Sequence, residues 1–146
     1  MTERITRCQA AVLRGDRILL VKHTNLVTGR TYWWLPGGGC KPGETQEEAV
    51  VREVKEEICL DVRVERLLFV TQDPQKRYAY RRFATYLCTP LSGESALGAE
   101  GYESGHPIVE MGWFSLWDES AWLPAFREEH LYPFLQSIRS ALQPHL

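Results

Sequence analysis

Three carboxylates, Glu53, Glu56 and Glu57, are spaced i, i+3 and i+4 along the chain. If this segment is a helix, that spacing places all three on one face. Like charges held so close together repel one another, and solubility does not require such crowding. A hard divalent cation such as Mg²⁺ prefers oxygen ligands and would turn the repulsion into binding. The spacing therefore indicates metal-assisted chemistry, with phosphate compounds as the expected substrates.

Residues 45–58 are predicted to form the helix that positions this cluster. Thr45 and Glu48 fit a capping box in which Thr45 is the N-cap residue. Apolar residues recur at about four-residue spacing, as expected for a face that packs on a core: Ala49 or Val50, Val54 and Ile58. The carboxylates are expected to point away from that core.

An ordinary solvated helix face is the alternative interpretation of these glutamates. Two features weigh against it. From Glu44 to Glu57 there are six acidic and two basic residues, a local charge of −4. Glu56 and Glu57 also fall in the last predicted turn, where the negative end of the helix dipole disfavours each anion by about 0.3–1 kcal/mol. A bound cation would reverse that balance.

The elements around this helix are predicted mainly from apolar runs. An N-terminal hairpin is expected, with strands in residues 8–13 and 17–22 joined at Gly15-Asp16. Gly37-Gly38-Gly39 is expected to lie outside regular elements, which tolerate glycine poorly. The other predicted elements are strands at 32–35, 62–70, 78–88 and 109–114, a long irregular connection at 89–107, and a closing helix at 131–142. This mixture predicts an α/β or α+β sandwich.

Length and composition set limits on what the chain can do. A chain of 146 residues predicts a single domain spanning 1–146. The formal net charge of −2 provides no basic field for long nucleic acid. We expect no membrane span and no signal peptide, because no long apolar run is present. Four scattered cysteines favour a reduced, cytoplasmic location over zinc or disulfides.

The segment from Gly38 to Leu60 resembles the Nudix box, G-x5-E-x7-R-E-U-x-E-E-x-G-U, where U is a bulky aliphatic residue. The matching positions are Gly38, Glu44, Arg52, Glu53, Val54, Glu56, Glu57 and Leu60. The preceding Trp34-Leu35-Pro36-Gly37 is similar to the family's lead-in to the box. One position departs, because Cys59 stands where the family has a glycine. That glycine normally permits a left-handed residue after the helix, a conformation that costs other residues about 1–2 kcal/mol.

The resemblance implies a Nudix-type α/β/α sandwich with a mixed central sheet and the acidic helix on one side. It implies an enzyme that depends on Mg²⁺ or Mn²⁺ and hydrolyses a nucleoside diphosphate linked to another moiety. Glu53 and Glu57 would be the principal metal ligands, with Glu56 beside them as a third. A backbone carbonyl in Gly37–Gly39, represented here by Gly38, would add a ligand.

The resemblance also implies how the catalytic carboxylates are held. Arg52 would position them, and Glu44 would be its structural partner in the box. The identity of the general base stays open between a box glutamate and a distal glutamate. The distal candidates are Glu100, Glu103 and Glu110, with His106 as the nearest histidine.

Aromatic and basic residues outside the box are candidates for substrate binding. A nucleobase can stack on an aromatic ring, and an arginine can contact phosphate. The candidates are Trp34, Tyr78, Arg81 and Arg82. Pro74 and Tyr78 lie where family subgroups carry a Pro or a Tyr, but the two suggest different substrates. The substrate class therefore stays open among NTPs, ADP-ribose and dinucleoside polyphosphates.

Two other functions compete with hydrolysis on the same scaffold. An isoprenoid-diphosphate isomerase would need a catalytic cysteine, for which Cys40 or Cys88 is available. A non-catalytic nucleotide-binding module would normally have lost box carboxylates, and all of them are present here. For partners we expect a small-molecule nucleotide, no long nucleic acid and no membrane. A homodimer is left open.

Overall fold

The computed structural model describes residues 6–72, 80–92, 96, 107–124, 126 and 131–143. The strands are β1 (Thr6–Arg14), β2 (Arg17–Thr24), β3 (Thr31–Trp34), β4 (Gly37–Gly39), β5 (Asp61–Gln72), β6 (Arg82–Ser92) and β7 (Ile108–Ser115). The helices are α1 (Gln46–Ile58), a 3₁₀ helix (Glu119–Ala121) and α2 (Tyr132–Leu142). The helices in these described ranges are too short or too polar to cross a membrane.

The strands form one mixed sheet. Its order is β3-β2-β1-β6-β5, with β4 paired to β1 and β7 paired to β2. The pairing of β1 with β6 is parallel, and the other strand pairs are antiparallel. Strand β1 lies at the centre because it pairs with β2, β4 and β6. The predicted mixed sheet is confirmed.

Helices α1 and α2 cover opposite faces of this sheet. Alternate residues of a strand point to opposite faces, and β1 shows this directly. Cys8 and Val12 join a buried cluster with Val54 of α1. The intervening Ala11 belongs to a second cluster with Leu135 of α2. The predicted α/β/α sandwich, with the acidic helix on one side, is confirmed.

Helix α1 begins and ends largely as its sequence predicts. The Glu48 backbone N–H donates to Thr45 Oγ1 at 3.1 Å, and the Thr45 N–H donates to Glu48 Oε1 at 3.0 Å. This reciprocal pair confirms the capping box. The predicted core-facing residues are fully buried: Ala49, Val50, Val54 and Ile58.

The structure departs from two of the predictions. Gly37–Gly39 is not irregular, because it forms β4 against β1, with Gly38 opposite Cys8. A Cβ at Gly37 would lie 2.4 Å from the Cys8 carbonyl oxygen, so the absence of side chains is what lets the two backbones approach. The strand predicted at 78–88 begins at Arg82 and continues to Ser92, which shortens the predicted irregular connection. Its antiparallel partner β5 pairs with it along that whole length, with Val62 opposite Pro90.

Cys59, the position that departs from the box, does adopt the left-handed conformation. Its φ is 58°, and its N–H donates to the Lys55 carbonyl at 3.0 Å as the helix ends. Replacing Cys59 with Gly should raise the free energy of unfolding by about 0.5–1 kcal/mol, because relief of the left-handed strain outweighs the greater freedom of the unfolded chain. Urea unfolding of the two proteins would measure this difference. A less stable variant would contradict the expectation.

Candidate active site

Arg52 of α1 contacts three glutamates at once. Its Nε and Nη2 donate to the two carboxylate oxygens of Glu44 at 2.7 and 2.9 Å. Its Nη1 donates to Glu53 at 3.0 Å and to Glu56 at 3.2 Å, and Nη2 also reaches the Gly39 carbonyl at 3.1 Å. The Arg52 guanidinium lowers the pKa of Glu44 to about 2. Arg52 therefore fastens the loop before α1 to the carboxylate-bearing face of the helix.

Glu57 is buried at the inner edge of this cluster. The residue is 6% exposed, and its Oε1 accepts a hydrogen bond from the Gly37 backbone N–H at 2.8 Å. Burial raises the pKa of Glu57 to about 8, against the opposing charge of Arg7 and with a further rise from Glu53. The expectation that the carboxylates all point away from the core was therefore wrong for Glu57. Strand β4 covers it, and no local sequence pattern reveals that cover.

Glu53 lies against the backbone of β4. A Cβ at Gly38 would come within 2.5 Å of Glu53 Oε1, so only glycine permits this close approach. Burial raises the pKa of Glu53, and its hydrogen bond with Arg52 opposes the rise. Glu53 thus lies between β4 and Arg52, on the same helix face as Glu56 and beside the buried Glu57.

The donor atoms of this cluster suit a hard divalent cation, although they are not arranged around one point. Among the described residues, no group of three or more His, Cys, Asp or Glu side chains is already placed to hold a metal ion. Hydrogen bonds within the protein hold the carboxylates instead. Arg52 donates to both Glu53 and Glu56, and the Gly37 N–H donates to Glu57. Carboxylate and backbone oxygens are nevertheless the ligands that Mg²⁺ and Mn²⁺ prefer. The close fit of Glu53 on Gly38 also puts a carboxylate beside the backbone of β4.

Arg7 of β1 is a charged residue at this site that the sequence interpretation missed. Its Nη2 donates to the Leu35 carbonyl at 2.9 Å, and its charge lowers the pKa of the buried Glu57. Its Nε is buried and has no hydrogen-bond partner among the described residues. The signal that could have revealed it is an arginine directly before the apolar run of the first predicted strand. Its contact with the region of Leu35 depends on sheet pairing.

The buried Glu57 predicts a pH-dependent stability of the metal-free protein. Its pKa rises from the usual 4.5 to about 8 on folding. Between these values the folded state keeps a proton that the unfolded state has lost, so stability falls as pH rises. The contribution of this retained proton to the free energy of unfolding is complete below about pH 4.5 and is lost as the pH rises through 8. In chelator, the free energy of unfolding of wild type minus that of Glu57→Gln should fall by a few kcal/mol from pH 5 to 8. A difference that does not change with pH would contradict this.

The other candidate residues are more scattered. Trp34 is 6% exposed, and its ring packs at 5.1 Å from Phe134 in the core. The ring therefore packs in the core with α2 and is not presented to solvent as a stacking platform. Arg81 and Arg82 are exposed at the start of β6, and Glu110 is exposed on β7. Five candidates lie outside the described residues: Pro74, Tyr78, Glu100, Glu103 and His106.

Comparison with known proteins places this arrangement in a family. The model of the NUDIX domain matches residues 4–137. YjhB of Bacillus subtilis strain 168 is 37% identical over 106 residues, which are 67% of this chain and 46% of YjhB. An RNA pyrophosphohydrolase of Teredinibacter turnerae is 29% identical over 153 residues and is aligned with 95% of this chain and 86% of its own length. The chain spans less than half the length of the first curated relatives it matches.

Solved structures show the same family likeness as the relatives found by sequence. The crystal structure of an ADP-ribose pyrophosphatase from Streptococcus suis has a TM-score of 0.66 and 28% identity to this chain. The superposition covers 97% of this chain and 95% of that one. The likeness thus extends from the acidic helix through the sheet to α2, which confirms the resemblance seen in the box. The chain belongs to the NUDIX domain family.

Proposed function

We propose that this protein hydrolyses the diphosphate linkage of a nucleoside diphosphate joined to another moiety, with Mg²⁺ or Mn²⁺ as cofactor. The observation that carries the proposal is the gathering of Glu53, Glu56 and Glu57 at one end of α1, held there by Arg52 and by the Gly37 N–H. Such a concentration of negative charge, partly buried, destabilises a metal-free protein and suits a cation-binding one. Pyrophosphatases and pyrophosphohydrolases among the relatives are consistent with this substrate class.

The proposed metal ligands are Glu53 and Glu57, with Glu56 as a third and the Gly38 carbonyl as a backbone donor. When bound, the cation would neutralise the diphosphate and make a bound water a better nucleophile. The chain's own residues have positioning roles. Arg52 restrains Glu53 and Glu56 through hydrogen bonds of 3.0 and 3.2 Å. The Gly37 N–H orients Glu57. Rigid placement of this kind is where the protein contributes most to such a reaction.

A substrate panel tests this function. The full chain would be incubated with Mg²⁺ and with NTPs, ADP-ribose and dinucleoside polyphosphates, and the phosphate-containing products separated by chromatography. We expect metal-dependent cleavage of at least one class, abolished by chelator and restored by excess Mg²⁺. Metal binding by calorimetry without turnover of any class would count against hydrolysis and would favour a nucleotide-binding module. Reaction in ¹⁸O-labelled water would then identify the attacked phosphorus.

The general base is a separate assignment. A box glutamate or one of the distal glutamates would accept the proton of the attacking water. Glu110 is the distal candidate within the described ranges, and it lies exposed on β7. Separate Gln replacements of Glu100, Glu103 and Glu110 would identify the base, because only its loss should greatly lower kcat and remove the acidic limb of the pH–rate profile. If all three variants keep the wild-type profile, the base lies in the box.

Cysteine chemistry distinguishes hydrolysis from the isomerase alternative. An isomerase would need a cysteine that meets the substrate, and Cys88 is fully buried in the core beside α1. Cys40 is exposed. A Cys40→Ser variant should keep wild-type hydrolysis, since no thiol takes part in the proposed reaction. Loss of all turnover in this variant would favour thiol chemistry instead.

A further inference from the structure

Two of the four cysteines lie in contact beside the candidate active site. The sulfur atoms of Cys8 and Cys40 are 3.6 Å apart, although the residues are 32 positions apart in the chain. Cys8 is fully buried in β1, whereas Cys40 is exposed and directly follows β4. Both thiols are free. Cys40 is therefore accessible to reagents in solvent, whereas Cys8 lies in the core.

We propose that Cys8 and Cys40 form a reversible disulfide, with a low-molecular-weight disulfide such as oxidised glutathione as the oxidant. The Cys40 thiol, after losing its proton to water, attacks one sulfur of the oxidant and expels a thiolate, which takes up a proton. This leaves a mixed disulfide on Cys40. The Cys8 sulfur then attacks Cys40 Sγ, its proton passes to the second departing thiolate, and the internal bond is formed. Two protein thiols are oxidised, and one small disulfide is reduced to two thiols.

Of the two cysteines, Cys40 is the one that lies outside the pairs of β1 with β4. A disulfide needs a sulfur–sulfur distance of about 2.05 Å, so the two sulfurs must approach by roughly 1.5 Å from their present 3.6 Å. Cys8 is held inside a strand with partners on both sides. Cys40 lies beyond the last pair of β4, which is Gly39 with Arg7, so its backbone is the part that can move.

The bond would fasten the loop before α1 to the centre of the sheet. That loop carries Glu44, which holds Arg52 through two hydrogen bonds, and its Lys41 N–H donates to Glu44 at 2.9 Å. Oxidation would therefore restrict the segment that supports the carboxylate cluster. The proposal rests on the cysteine geometry alone and holds whether or not the chain hydrolyses nucleotides.

Mass spectrometry of the intact protein tests the proposal. A Cys59→Gly background removes the other exposed thiol. Oxidised glutathione should lower the mass of this protein by two hydrogen atoms, and non-reducing digestion should join the peptides that contain Cys8 and Cys40. The Tm should rise by about 5–10 °C, because the unfolded chain loses freedom. Dithiothreitol should reverse both changes.

Two matched variants in the same background keep the test decisive. Cys40→Ser replaces an exposed residue and should show neither the mass loss nor the Tm rise. Cys8→Ala should stop at the mixed disulfide, seen as a stable glutathione adduct on Cys40. A lasting adduct on Cys40 in the protein that retains Cys8, without the internal link, would overturn the proposal. So would a Tm response to oxidant equal to that of Cys40→Ser.

Discussion

Replacing Glu57 with Gln should lower kcat for diphosphate hydrolysis by about 10³-fold. The neutral amide keeps the oxygen that accepts the Gly37 N–H at 2.8 Å, so the fold around the side chain should persist. The substitution removes the negative charge that, in our proposal, binds the cation. Metal ions supply several kcal/mol of stabilisation to the charge of the transition state, and each 1.4 kcal/mol corresponds to tenfold in rate. Steady-state kinetics at saturating substrate, with calorimetric titration of Mg²⁺, would measure the change.

Glu47→Gln is the matched control for this experiment. Glu47 lies on the exposed side of the first turn of the same helix, and the substitution removes the same charge. It should change kcat less than about twofold, since long-range effects of exposed charges are largely screened by salt. A similar loss in both variants would mean that the net charge of α1, rather than a metal ligand at Glu57, determines the rate.

Replacing Gly37 with Ala should destabilise the protein by about 3–4 kcal/mol. The new Cβ would lie 2.4 Å from the Cys8 carbonyl oxygen and 2.7 Å from the Gln9 Cα. Both are backbone atoms of the central strand, so no side-chain rotation relieves the clash and β4 must separate from β1. Separation would also remove the N–H that holds Glu57. Thermal unfolding should show a Tm lower by roughly 10 °C.

Gly43→Ala separates crowding from backbone strain. Gly43 has a φ of 81°, and a Cβ there would meet nothing within 4 Å. Its replacement should therefore cost only the left-handed strain of about 1–2 kcal/mol. Equal losses of stability for the two variants would show that the approach of β4 to β1 is not what requires glycine at position 37.

Some parts of the site follow from the sequence because they depend on neighbours along one helix. The i, i+3 and i+4 spacing of Glu53, Glu56 and Glu57 predicts a shared face, since helical geometry alone sets it. The capping box at Thr45 and Glu48 is equally local, and its two hydrogen bonds form as predicted. The box marks position 59 as one where the family has a glycine, but whether Cys59 would take the left-handed conformation was known only from the structure.

The burial of the carboxylates was decided by contacts between residues distant in the chain. Glu57 accepts a hydrogen bond from a residue 20 positions earlier, and Arg7 donates to Leu35 across 28 positions. Trp34 shows the same limit, because its aromatic character suggested a stacking platform, whereas the structure buries its ring against Phe134, 100 positions later in the chain.

The sequence by itself therefore determined a capped acidic helix, its family and the general layout of strands and helices. Only the tertiary structure decided that β4 exists, that it covers Glu57 and that Cys8 meets Cys40. The physical reason is that helix geometry is set within a few residues. Desolvation and sheet pairing depend instead on which distant backbone segments approach one another, here through three glycines that place no side chains between β1 and β4.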